Sequence, residues 1–252
     1  MLIKTSPVHT LMAFFAATLL SLSGCTSPRV PDFGAIEIPA ERKQAFFEYM
    51  APLVEAKNKQ ITGDRAALEK LLGHLHEGKL TWWQRGQALD LADAYGLSEV
   101  TGGVSDTALL DTLNRRIGVV PAPLALIQAA KESGWGTSRF ALEGYNYFGQ
   151  QCFKEGCGVT PKNRRQGHQH EVARYASPAQ SIAAYITNLN THRRYADFRS
   201  RRLTMTEAEQ NLNTVESSLT LAATLQAYSE RGGAYIKDIQ SMLRQNRSFF
   251  EP

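Results

Sequence analysis

The sequence predicts a predominantly helical α+β fold with one small β lobe, and three observations predict it. Apolar residues recur at three- and four-residue steps through most of Pro39 to Leu97, the pattern of helices with one buried face. The run Leu124-Ala125-Leu126-Ile127-Gln128-Ala129-Ala130 is apolar almost all round, as a helix enclosed by its neighbours must be. Residues Tyr147 to Ala176 are instead rich in Gly, Cys, Phe and Tyr and carry a Val172/Tyr175 stretch, which suits a small hairpin with irregular loops. Composition agrees: 252 residues, 43% hydrophobic and 21% charged, with 19 Gly and 10 Pro, exclude a collagen-like or disordered chain. The length allows one large domain, or one domain with a smaller helical appendage.

Residues 1–24 read as a signal peptide. Lys4 is the single charge before the apolar run Leu11 to Leu20, which is too short for the roughly 20 residues that span a bilayer. Leu22-Ser23-Gly24-Cys25 resembles the bacterial lipobox, in which cleavage precedes a cysteine that carries lipid. The alternative is an ordinary secretory signal with a chance cysteine. Thr26 stands where inner-membrane lipoproteins often carry Asp, so the expected place is the cell envelope, anchored through Cys25 to the outer membrane and facing the periplasm. Residues 25–39, with prolines at 28, 31 and 39, read as a tether.

An N-terminal helical region is expected over residues 40–104. Phe46, Phe47, Met50, Leu53 and Val54, then Leu68, Leu71, Leu72 and Leu75, keep the helical step. Thr81 can cap a helix holding Trp82, Trp83, Leu89 and Leu91 and ending near Gly96. Aromatics at helical positions usually pack inward, so the Trp pair is expected in the core, with sugar stacking as the alternative. Thr101-Gly102-Gly103 breaks the run. Ser105 then opens a second domain, residues 105–248, with a helix through Leu109, Leu110, Leu113 and Ile117.

Within that domain, Val120-Pro121-Ala122-Pro123 marks a boundary before the apolar helix, which Gly134 and Gly136 stop. Ser177, Pro178 and Gln180 form a capping box for a helix with Ile182, Tyr185, Ile186 and Leu189 on one face. Two further helices are expected around Leu219 to Tyr228 and Tyr235 to Leu243.

The net charge of +4 contains no block of five or six like charges, so nucleic acid is not indicated, whereas an anionic polymer suits it. With Cys25 acylated, Cys152 and Cys157 remain, spanning a short loop with Gly inside it, suited to a disulfide-stapled turn in an oxidising compartment. Zinc is the alternative, but four residues separate the pair rather than two, and no second Cys/His pair sits at finger spacing. His168 and His170 do not make a site by themselves. No phosphate loop, Ser-His-Asp order or metal cluster appears, so no cofactor or metal is expected.

Glu132 ends the most apolar helix of the chain. Burial disfavours its charged form, and so does the negative partial charge of a helix C-terminus. Both raise its pKa, as a general acid near neutral pH requires. Trp135 between two glycines offers a flat wall for a sugar ring. A salt bridge to Lys131 or Arg139 is the competing reading.

The text around Glu132 supports the chemical one. Pro123 to Gln150, with Ala130-Lys131-Glu132-Ser133-Gly134-Trp135-Gly136 and Asn146-Tyr147-Phe148-Gly149, resembles the glucosaminidase domains of peptidoglycan hydrolases, including flagellar-rod-associated and Listeria-type autolysins. The closer resemblance is to Bax-type proteins of Gram-negative bacteria. It rests on the Cys152/Cys157 loop, His170 to Tyr175, Asn188-Leu189-Asn190-Thr191-His192 and Tyr228-Ser229-Glu230-Arg231-Gly232, and covers Ala40 to the C-terminus.

The resemblance implies a lysozyme-like domain and an endo-acting β-N-acetylglucosaminidase whose substrate is the glycan strand of peptidoglycan. It makes Glu132 the proton donor and Tyr228 the tyrosine facing it. It implies a second carboxylate in the β lobe, for which Glu171 and Glu155 are the candidates, Glu171 favoured because it recurs in the matching stretch. Trp135, Asn146, Phe148, Gln150 and Tyr175 are the expected sugar contacts. The rivals are a lytic transglycosylase-like muramidase and a wall-binding lipoprotein without activity.

Overall fold

A computed structural model describes residues 29–98, 103–161 and 170–251. The lipobox with Cys25 and the position of His168 lie outside them. The longest element is α1, Pro39–His76, with proline in its first turn and a second, Pro52, inside it. At about 1.5 Å per residue its 38 residues extend for about 57 Å. It buries Phe46, Phe47, Met50, Val54, Ile61, Leu68 and Leu71, close to the stripe its sequence periodicity draws.

Before it, the residues read as the end of a tether pack against the body. Asp32 accepts hydrogen bonds from the amides of Gly34 and Ala35 to start a 3-10 turn, Phe33–Ala35. The Phe33 ring is buried edge-on against Phe46, centroids 5.4 Å apart.

Helix α2, Trp82–Ala94, opens with the capping box of Thr81 and Gln84. The expectation of a core Trp pair fails here, since Trp82 is 83% and Trp83 62% exposed. The buried stripe of α2 is Ala88 and Ala92, and at roughly 100° per residue both tryptophans point well away from it. Helix α3, Asp106–Arg116, is capped by Ser105 and buries Leu109, Leu110 and Leu113.

Helix α4, Ala122–Ser133, follows Pro121 and is buried from Ala122 to Ala130. Packed against α1, α8 and α9, it is the centre of the molecule. It ends at Gly134, in the left-handed region at φ 57°. A short helix the sequence reading lacks, α5 (Arg139–Gly144), is capped by Ser138.

Three short antiparallel strands form the β lobe. They are β1 (Gln151–Cys152), β2 (Gly158–Val159) and β3 (Glu171–Ala173), with β3 in the middle. Cys152 pairs with Glu171 and Gly158 with Ala173 across the ladder. A Cys152–Cys157 disulfide, Cα atoms 6.2 Å apart, closes the loop between β1 and β2, as expected.

Helix α6, Pro178–Thr191, begins at Ser177, whose hydroxyl accepts from the Gln180 amide. The reciprocal half of the expected box lands one residue early, with Gln180 Oε1 accepting from the Ala176 amide at 2.6 Å. Helix α7, Ala196–Glu207, was not anticipated, and its buried residues explain why: Phe198, Arg199, Arg202 and Met205. A face half made of arginine shows no apolar period. Arg202, only 3% exposed, donates to the carbonyls of Arg115, Arg116, Gly118 and Val119 and to Asn190 Oδ1, joining α7 to the α3–α4 connection and to α6.

Helix α8, Val215–Ala222, stops earlier than the sequence suggests, which leaves Tyr228 in a 3-10 turn, Gln226–Tyr228. Helix α9, Gly233–Gln245, closes the domain against α4 and α8. Residues 31–252 form one compact unit, so the N-terminal helices share a core with the domain that follows. The architecture is the expected helical α+β fold with a three-stranded lobe. No helix among the described residues is long and apolar enough to cross a membrane.

Candidate active site

Glu132 lies in the last turn of α4 and lines a cleft of about 1100 Å³. Phe148, Gly149 and Gln150 from the loop after α5 line the same space, as do Asn188, His192 and Arg194 from the α6–α7 corner and Tyr228, Glu230 and Arg231 from the turn before α9. A smaller cavity of about 190 Å³, lined by Ile61, Ile117, Val119, Leu203 and Leu212 among others, holds no carboxylate.

Burial pushes the Glu132 carboxyl above the usual carboxylate range, opposed by a hydrogen bond from Tyr235 and the charge of Lys131. Neither cation that could have neutralised it does so. Lys131 reaches 2.9 Å to Asp238 Oδ2, an oxygen it shares with Arg231 at 2.8 Å. Arg139 pairs with Glu143 and donates to the Thr160 carbonyl. The carboxyl is therefore half-withdrawn from water, without a bound counter-ion, at the edge of an open groove.

Gly149 keeps that edge open. Its backbone is left-handed at φ +65°, and a methyl built on it would stand 3.5 Å from Glu132 Oε2. Asn146 sets this loop. Its side-chain amide donates to the carbonyls of Gln150 and Ala173, and its Oδ1 accepts from the amides of Phe148 and Gln150. All four bonding positions of an Asn side chain are thereby used, and the residue is 1% exposed. Asn146 is a loop organiser and not the sugar contact its place in the motif suggested.

Trp135 also departs from expectation. Its backbone is left-handed at φ 59°, between Gly134 and Gly136. The indole packs edge-on against Phe46 and Phe47 of α1, with Lys43 Nζ 5.1 Å from its centroid. The reversal after α4 turns the ring to α1, so it is absent from the cleft lining.

Phe148 stacks on Tyr185, centroids 4.0 Å apart, and is 2% exposed, so its ring belongs to the core although the residue lines the cleft. Gln150 is in the cleft, where its Oε1 accepts from the Tyr175 hydroxyl at 2.8 Å; burial raises that phenol to about 12. Tyr175 thus orients Gln150. Tyr228 faces the cleft with Glu132, as expected, and donates its proton to the Phe148 carbonyl at 3.0 Å, bridging two walls.

Neither proposed second carboxylate lines the cleft. Glu171 is buried in β3, with its two oxygens accepting from the amides of Gly156 and Gly158 inside the cystine loop. It holds that loop in shape. Cys152, Cys157 and Glu171 cluster closely enough to suggest metal ligands, but the two sulfurs are bonded to each other. Glu155 is exposed at the loop tip.

The cleft does contain a second carboxylate, Glu230, which the sequence reading passed over although Tyr228-Ser229-Glu230 stood in view. Also missed were Gln128 and Tyr235. The Tyr185 hydroxyl donates to Gln128 Oε1 at 2.6 Å, Gln128 Nε2 donates to the Tyr235 hydroxyl at 2.9 Å, and Tyr235 bonds to Glu132. The available signal was a lone polar residue one turn before Glu132 in an apolar helix.

A family model described as mannosyl-glycoprotein endo-beta-N-acetylglucosaminidase matches residues 108–248. The chain is similar to Protein bax of Escherichia coli (strain K12), with 29% identity over 227 residues, which cover 90% of this chain and 78% of that protein. No solved structure matches.

Proposed function

The chain belongs to the glucosaminidase family, and we propose from that premise that it hydrolyses β-1,4 N-acetylglucosaminyl bonds in peptidoglycan, with Glu132 as general acid. The observation that carries this reading is a carboxyl held toward its protonated form, with no bound cation, beside a glycine that leaves room for a glycosidic oxygen. Protonation of the leaving oxygen by Glu132 lets the C–O bonding pair depart with it, while the anomeric carbon gains oxocarbenium character.

Glu230 is the second carboxyl group in this reading, the base that takes a proton from the attacking water. It is the other carboxylate among the described residues that line the cleft. Tyr228 bridges the walls on which the two acids stand and presents its oxygen to the developing positive charge. Anchoring to the envelope through Cys25 belongs to the same proposal. It places the enzyme beside its polymer, and Cys25→Ala is expected to abolish labelling by radioactive palmitate.

Mass spectrometry of digested sacculi tests the bond cleaved. New reducing GlcNAc ends are expected. Ends of 1,6-anhydro-MurNAc would overturn the reading in favour of a lytic transglycosylase, and unchanged sacculi in favour of a binding protein.

A further inference from the structure

Gln128 is a fully buried polar side chain in the otherwise apolar stretch Ala122–Ala130. Burying an amide is unfavourable unless its bonds are made. Here they are made in one direction. Its oxygen takes the Tyr185 proton at 2.6 Å and its nitrogen gives a proton to the Tyr235 oxygen at 2.9 Å. A phenol has one proton to donate. With its oxygen engaged by the Gln128 amide, Tyr235 has that proton left for Glu132, to which it is hydrogen-bonded.

The reverse orientation of the amide fails on the same count. It would face the Tyr185 proton with an NH2 group and draw the Tyr235 proton back to Gln128, leaving the carboxyl of Glu132 without its donor. Tyr185 is fully buried and has no water to turn to.

We propose that Gln128 is a positioning residue for Glu132: anchored by Tyr185, it forces the single proton of Tyr235 onto one oxygen of the catalytic carboxyl. This rests on Glu132 being the general acid. The oxygen that accepts from Tyr235 serves as acceptor in both ionisation states. The acid's own proton is thereby confined to the other oxygen, where a glycosidic oxygen can receive it, and the carboxylate left after transfer keeps one fixed donor.

Other groups near the carboxyl lack this double connection. Lys131, on the same helix, is engaged by Asp238. Tyr228 spends its proton on the Phe148 carbonyl. His192, Arg194, Glu230 and Arg231 share the cleft. Only Tyr235 is bonded both to Gln128 and to Glu132.

The test is the pH profile of kcat/KM for the full-length protein on soluble glycan strands, with wild type, Tyr235→Phe, Gln128→Met, Tyr185→Phe and the Gln128→Met/Tyr235→Phe double variant. Activity needs Glu132 protonated, so its ionisation sets the basic limb. Losing a bond that favours the charged form moves that limb upward, by about half to one pH unit for Tyr235→Phe. Gln128→Met and Tyr185→Phe are expected to shift it the same way by less.

The double variant should coincide with Tyr235→Phe alone, since Gln128 acts through that hydroxyl. Limb position does not depend on how much protein is folded, so a destabilised variant still reports. A Gln128→Met profile lowered at every pH with an unmoved limb would overturn the proposal, as would shifts that add in the double variant. Full activity of Glu132→Gln would instead remove the acid assignment beneath it.

Discussion

Replacing Asn146 with alanine removes four hydrogen bonds at a position that is 1% exposed. Each is worth about 0.5–1.5 kcal/mol net, which brackets the loss at roughly 2–6 kcal/mol. Two buried carbonyls, of Gln150 and Ala173, and two loop amides, of Phe148 and Gln150, lose their partner together. About 3 kcal/mol is therefore the working figure. For a domain of this size it corresponds to a fall in Tm of roughly 6–12 °C. Thermal melts followed by far-ultraviolet circular dichroism, with the disulfide intact, measure it. A residue that contacted sugar would behave oppositely, with stability preserved and KM raised. A Tm within about 2 °C of wild type together with a raised KM would refute the structural assignment of Asn146.

Glu132→Gln is expected to cut turnover by roughly 10²–10⁴-fold, the range for a lost general acid, as read by release of reducing ends from sacculi. The same variant has a signature in stability. The folded-state pKa of Glu132 lies above the ordinary 4.5, so the native state holds the proton more tightly and stability falls as pH rises from about 4.5 through the raised value. Relative to wild type, Glu132→Gln should therefore gain in Tm between pH 4 and pH 8; a constant difference would contradict the raised pKa. Gly149→Ala is expected to cost about 1 kcal/mol in urea unfolding, because its left-handed backbone disfavours a Cβ, and to lower kcat/KM by placing a methyl 3.5 Å from Glu132 Oε2. Glu171→Gln and Glu230→Gln form a diagnostic pair in the sacculus assay: the first should lower Tm with kcat within about twofold, the second should lower kcat by about a hundredfold or more with Tm unmoved.

Helix α4 was legible because ten of its twelve residues are buried and nearly all are apolar, so no tertiary detail was needed to place it at the centre. The acid at its end was legible for the same reason. Trp135 was misread because sequence cannot say which way a side chain points after a reversal built from three successive left-handed residues. The missed α7 hides its inward face behind Arg199 and Arg202, which are satisfied by carbonyls that come near only in the folded chain. Asn146 and Glu171 were placed in the sugar site because polar residues in a motif invite it. Their bonds instead close on backbone groups up to 27 residues away. Glu230 was overlooked because its relation to Glu132 exists only across the cleft.

The corner that presents the acid is buttressed from outside the stretch that the family model covers. Trp135 leans on Phe46 and Phe47, and Phe33 fills the space over Gly136 that any larger residue there would need. A fragment trimmed to residues 108–248 would keep every residue of the cleft and lose the scaffolding behind it. In engineering terms, the smallest portable enzyme begins near Asp32, ahead of the long first helix, and a shorter one would carry the right groups on an unsupported ledge.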